Sequence, residues 1–149
     1  MARAQVLQPT NGIIHEDEAV QRTIAAYPAA AQRRLRQVTR LMAREASRAG
    51  VERINATLKW GEPSYSTTGG SPLRLAWSAK APRRLGVYCH CSTRLIETFR
   101  ELFGDRFEFD GQRALYLPLT GRLPSAELSQ CLRMALRYHT LKKLPLLGA

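Results

Sequence analysis

Two runs of alternating side chains constrain this chain more than any other feature. Ser71-Pro72-Leu73-Arg74-Leu75-Ala76-Trp77-Ser78 and Leu85-Gly86-Val87-Tyr88-Cys89-His90-Cys91 flank the turn-prone Lys80-Ala81-Pro82-Arg83. Alternation with a period of two marks antiparallel strands that bury one face and leave the other open. Placing Ser78 opposite Arg84 sets Trp77 against Leu85, Leu75 against Val87 and Leu73 against Cys89. That register gathers the apolar side chains on one face. On the other face Arg74 lies beside Tyr88, Ala76 opposite Gly86, and His90 near Pro72. A slip of one residue would expose Trp77 and bury Arg74 unpaired, at a cost on the order of several kcal/mol.

The flanking segments extend this frame. Ile54 to Leu58 alternates and leads into Lys59-Trp60-Gly61-Glu62-Pro63-Ser64-Tyr65. Gly61 permits angles closed to other residues, and Pro63 fixes its own φ and pushes Glu62 towards extended geometry. The result is a rigid aromatic corner, which either presents its rings to a ligand or plugs the sheet edge with them. Acidic Glu16-Asp17-Glu18 suits the start of a first helix, which Pro28 ends. A second helix over Pro28–Ala49 keeps a helical apolar period through Leu35, Val38, Leu41, Met42 and Ala46, with Gly50 as its stop. A third helix, Thr93 to Phe103, is expected with Ser92 as cap. Asp110-Gly111 reads as a hairpin turn between Phe107–Phe109 and Ala114–Leu117. A last helix is expected over Ser125–Leu144, with Ser125 as N-cap. The organisation predicted is a loosely held arm over 1–15 and one domain over 16–145. Its class is α+β, with a mainly antiparallel sheet of five or six strands. The long terminal helices are expected to pack on the face carrying Leu75, Trp77 and Val87.

The cysteines offer little for metal chemistry. Cys89-His90-Cys91 hints at a ligand pair, but a zinc site needs about four ligands, and only Cys131, His139 and His15 remain. Alternation turns Cys89 and Cys91 to the core, reduced and metal-free, and turns His90 to the open face. Gly69-Gly70-Ser71 is too short for a phosphate loop, no nucleophile elbow occurs, and carboxylates are few. No metal, cofactor or catalytic residue is expected. Three cysteines, an odd number, argue against a secreted disulfide framework, and no apolar run reaches membrane-span length. A cytoplasmic location without membrane contact is the expectation.

The net charge of +11 has two sources to weigh: an acidic partner such as nucleic acid, or arginine-rich coding bias. Position separates them better than the total. Arg36, Arg40, Arg44 and Arg48 repeat every four residues on the second helix, and Arg33 extends the row. Such spacing forms a ridge of guanidinium groups on one helix face.

Lys59-Trp60-Gly61-Glu62-Pro63-Ser64-Tyr65, Arg74-Leu75-Ala76-Trp77, Cys91 and Gly111-Gln112-Arg113-Ala114-Leu115 follow one another in an order that resembles the YdhG-like family of uncharacterised bacterial proteins. The resemblance runs from about Asp17 to Leu144. It implies a layered fold with terminal helices on one sheet face, and it brings Trp60, Pro63, Tyr65, Arg74 and Arg113 forward as recurring positions. Some family members are described as frataxin-like iron chaperones. Here Glu16, Asp17 and Glu18 form the only acidic cluster, and a basic chain repels a cation.

Three functions follow as expectations. The first is a non-enzymatic binding domain for a small anionic or planar ligand on the open sheet face, using Trp60, Glu62, Tyr65, Arg74, Tyr88, His90 and Arg113. The second is a sequence-independent nucleic-acid-binding module using Arg33, Arg36, Arg40, Arg44 and Arg48. The third is an iron carrier, by family analogy alone.

Overall fold

The computed structural model describes residues 12–149, and the hairpin at their centre has the expected register. Strands β4 (Leu73–Trp77) and β5 (Arg84–Cys89) pair antiparallel, with Leu73 opposite Cys89, Arg74 opposite Tyr88, Leu75 opposite Val87, Ala76 opposite Gly86 and Trp77 opposite Leu85. Around them the sheet grows to seven strands, one or two more than expected. The others are β1 (Ile14–Glu16), β2 (Ile54–Lys59), β3 (Glu62–Ser66), β6 (Glu108–Asp110) and β7 (Ala114–Pro118). Their order is β1-β2-β3-β4-β5-β7-β6, and the β1–β2 pair alone is parallel. The class is therefore α+β with one mostly antiparallel sheet.

Two of these strands correct the sequence reading. β1 pairs Ile14 with Ile54, so the domain begins before residue 16 and the expected arm reaches 15 only in part; residues 1–11 lie outside the described residues. β3 starts at Glu62, directly after the Trp60-Gly61 turn, where a corner was expected. Lys59 faces Glu62 across that two-residue turn. β4 pairs only with Ser64 and Tyr65 of β3, so Pro63, which has no N–H to donate, sits beyond that ladder.

The helices are α1 (Glu18–Ala25), α2 (Ala29–Arg48), α3 (Leu95–Phe103), α4 (Ser125–Leu136) and α5 (Tyr138–Leu141), followed by a 3-10 turn at Pro145–Gly148. Asp17 caps α1 by accepting the Val20 N–H at 2.9 Å. Leu35, Val38 and Met42 of α2 share one buried cluster with Leu75, Leu85 and Val87 of the sheet and Leu128, Leu132 and Ala135 of α4. Trp77 sits half-buried at the rim of this cluster, against the Tyr27 ring at 6.0 Å, and donates its indole N–H to the Pro82 carbonyl at 2.9 Å.

Several helix ends differ from expectation: α1 stops at Ala25, and α2 is one residue shorter at each end, with Pro28 as its N-cap. α3 starts two residues later, because Thr93 is drawn into a turn on the His90 carbonyl and Ser92 bonds the His90 ring. Ser125 is the first residue inside α4 and Pro124 takes the cap position, without a side-chain cap. The expected last helix breaks at Arg137 and does not run to Leu144. There the intrahelical bond from the His139 N–H to the Ala135 carbonyl is exchanged for two bonds to the 69–71 turn. Ser71 N–H donates to the Ala135 carbonyl at 2.9 Å, and His139 N–H donates to the Gly69 carbonyl at 3.0 Å. Gly70 lies so close that a Cβ there would stand 2.7 Å from the Leu136 carbonyl oxygen.

Candidate functional site

The outer sheet face carries a ladder of charged and aromatic side chains. Alternation along β3, β4, β5, β7 and β6 brings Glu62, Arg74, Tyr88, Arg84, Tyr116 and Glu108 to that face. Arg74 donates from Nε to Glu62 at 2.9 Å and stands over the Tyr88 ring at 5.4 Å. Tyr88 meets Tyr116 edge to face at 6.2 Å. Arg84 stacks on Tyr116 at 3.6 Å and pairs with Glu108 at 3.1 Å. The Tyr116 hydroxyl donates to Asp110 at 2.9 Å; burial and that bond push its pKa up to about 12. Sequence reasoning found the Arg74–Tyr88 pair. It missed Arg84 and Tyr116, although the 84–118 alternation carries both.

The residues proposed for this face do not form one site. Tyr65 pairs with Ala56 and Leu73, so it points into the core at 2% exposure, and its hydroxyl finds no partner among the described residues. Burial raises its pKa. Trp60 stands at the hairpin tip, 90% exposed. Arg113 is exposed in the β6–β7 turn, where its carbonyl receives the Cys89 N–H at 2.7 Å. His90 lies past the end of β5, its Nδ1 accepting the Ser92 N–H at 3.1 Å. That turn also corrects Cys91: the strand ends at Cys89, so alternation no longer applies, and Cys91 is exposed. Cys89 and Cys131 are buried free thiols. Burial pushes Cys89 up to about 12 and Cys131 well above its ordinary value.

The basic helix has a different character. Two members of the expected row are neutralised: Arg36 reaches Glu16 of β1, and Arg48 pairs with Glu45 at 3.1 Å. Arg33, Arg40 and Arg44 are exposed, and no ion pair among the described residues includes them. Helical geometry places these three on one stripe. Beside it lies a groove of about 830 Å³ between α2 and the start of α4, lined by Arg34, Arg40, Arg44, Arg122, Ser125 and Glu127 among others.

Arg34, which the sequence reading passed over, is buried at 4% exposure. Its Nε donates to the Pro118 carbonyl, Nη1 to Gln37 Oε1 and Nη2 to the Gly121 carbonyl, each at 2.8 Å. All three acceptors are neutral, and burial lowers the pKa of the guanidinium. Arg34 falls next to the exposed Arg33, but the helical period sets it on the flank of the buried face, four residues before Val38, and the distant 118–121 backbone supplies two of its acceptors.

Comparison with protein-family models, with curated proteins and with solved structures gives no match to the chain. Among the described residues no three His, Cys, Asp or Glu side chains gather as a metal cluster, and no helix is long and apolar enough to cross a membrane.

Proposed function

We propose that this protein is a non-enzymatic, sequence-independent nucleic-acid-binding module whose contact surface is the exposed arginine stripe of α2. One observation carries the reading: how the few carboxylates are distributed. On the sheet face Arg74 and Arg84 each hold a carboxylate and an aromatic ring, whereas Arg33, Arg40 and Arg44 hold neither among the described residues. Three like charges along one stripe repel one another, and phosphates would relieve that repulsion by taking the place of the missing acids. The small-ligand reading of the sheet face stands behind this one, because its arginines are already engaged. Iron delivery needs an oxygen-rich cluster and gains no support. The YdhG-like resemblance, with the helices as one layer over the apolar sheet face, belongs to the same proposal as its architectural half. It leaves the stripe on the solvent side.

The test is a titration of duplex DNA and single-stranded RNA at several salt concentrations. Three phosphate contacts predict a log–log salt slope of about −2.7 on duplex DNA, from roughly −0.9 per contact. Arg40→Glu combined with Arg44→Glu is expected to abolish binding without loss of helical signal. Absence of binding at low salt, or binding indifferent to the double reversal, would sink the proposal.

A further inference from the structure

We infer that the groove between α2 and α4 is a site for a phosphate monoester, and that the module seats the phosphorylated end of a nucleic-acid strand there. The inference rests on the nucleic-acid reading for its ligand's source, and on the groove alone for its chemistry.

The groove shares Arg40 and Arg44 with the stripe but adds further donors to them. A phosphodiester carries one charge, which an exposed arginine matches. A monoester carries a charge near −2 and three strong acceptor oxygens, so it suits a place where several donors converge. The groove is such a place. Arg40, Arg44 and Arg122 line it, and none of them has a carboxylate among the described residues. Arg34 lies in its wall as a buried cation surrounded by neutral acceptors. Three of its five N–H groups have acceptors among the described residues.

The fourth contribution comes from α4. Its cap position is Pro124, with no side-chain cap, and the first of its N–H groups with an acceptor is that of Leu128, on the Pro124 carbonyl at 2.9 Å. The N–H groups of Ser125, Ala126 and Glu127 have no acceptor among the described residues, and all three residues line the groove. Free N–H groups at the start of a helix favour an anion. One carboxylate, Glu127, also lines the groove, and Arg106 engages it at 3.5 Å. A buried cation with no ion pair among the described residues and an uncapped helix start thus line the same groove.

The test compares short single-stranded oligonucleotides of one sequence, ending in a 5′-phosphate, a 3′-phosphate or hydroxyls only. A terminal phosphate at one end is expected to tighten binding about tenfold, the worth of charge-assisted bonds made by a second charge. Exposed Arg122 serves as the variant, since its removal leaves the core intact. Arg122→Ala should erase the preference and keep the affinity for the hydroxyl-ended strand. Inorganic phosphate should compete for the preference and raise the melting temperature of the unaltered protein, but not that of Arg122→Ala. Equal affinity for all three ends, with no effect of inorganic phosphate, overturns the inference and leaves the stripe reading standing. If no strand binds while phosphate still stabilises through Arg122, the groove is a free-phosphate site and the nucleic-acid reading falls.

Discussion

Trp60 holds a conformation that costs a side chain of its kind energy. Its φ is +55° and that of Gly61 is +75°, the positive pair of a type I′ turn, where Asn-Gly is the favoured sequence. A left-handed L-residue is disfavoured by roughly 1–2 kcal/mol, least for Asn, and the ring recovers none of it by burial at 90% exposure. Trp60→Asn is therefore expected to stabilise the protein by about 1 kcal/mol, read as a higher urea midpoint with an unchanged slope. An equal or lower midpoint would show that the ring is held by contacts after all. The sequence made the rigidity of this corner legible through Gly61 and Pro63, but not its shape. Read as a corner, Lys59 to Tyr65 carries no alternation. Counted from Glu62 as a strand, it turns Tyr65 inward and leaves Glu62 and Ser64 on the outer face.

Among the elements, local pattern and distant partner divide what could be read. The β4–β5 register followed from side-chain type alone, since one slip would have inverted the whole face. The Asp110-Gly111 turn followed from its residues in the same way, and Gly111 has φ +57°. The break in the last helix did not, because residues 69–71, some sixty-five positions earlier, cause it by taking over the Ala135 and His139 backbone groups. No local signal at 135–139 contains them. Gly70→Ala tests that contact. The new Cβ would stand 2.7 Å from one backbone carbonyl oxygen and 3.0 Å from another, neither of which can swing aside. A loss of about 1–3 kcal/mol is expected, measured by urea unfolding. Gly86→Ala offers the contrast: its Cβ would meet the far end of the Tyr88 ring at 2.4 Å, and that ring can rotate away. The smaller loss should therefore fall on Gly86→Ala; the reverse order would mean that the 69–71 turn is not what ends α4.

At the scale of the molecule, a net charge of +11 was legible and its meaning was not. Twelve carboxylates could have been paired with any of the arginines, and only the folded arrangement shows which were left over. The same limit applied to the thiols: composition marked Cys89, Cys91 and Cys131 as unpaired, but folding sorted them into two buried and one exposed. That sorting has a consequence at high pH. Burial holds Cys89 at about 12 and Cys131 well above its ordinary value of 9.0. From pH 9 upward the unfolded chain releases both thiol protons, while the folded chain keeps them. The native state then binds more protons than the unfolded state, so stability falls as pH rises, by about 1.4 kcal/mol per pH unit for each thiol. The loss begins near 9, the unfolded value, and for Cys89 it ends near 12, where the folded thiol ionises too. Tyrosines and lysines add their own alkaline dependence, so the measurement is a difference of slopes. Urea unfolding is followed at about pH 8 and about pH 10 for the unaltered protein and for Cys89→Ala combined with Cys131→Ala. The double variant starts lower, because it leaves space in the core, but it should lose less on going to the higher pH. Parallel pH dependence in the two proteins would show that the buried thiols ionise in the folded state as readily as in the unfolded one.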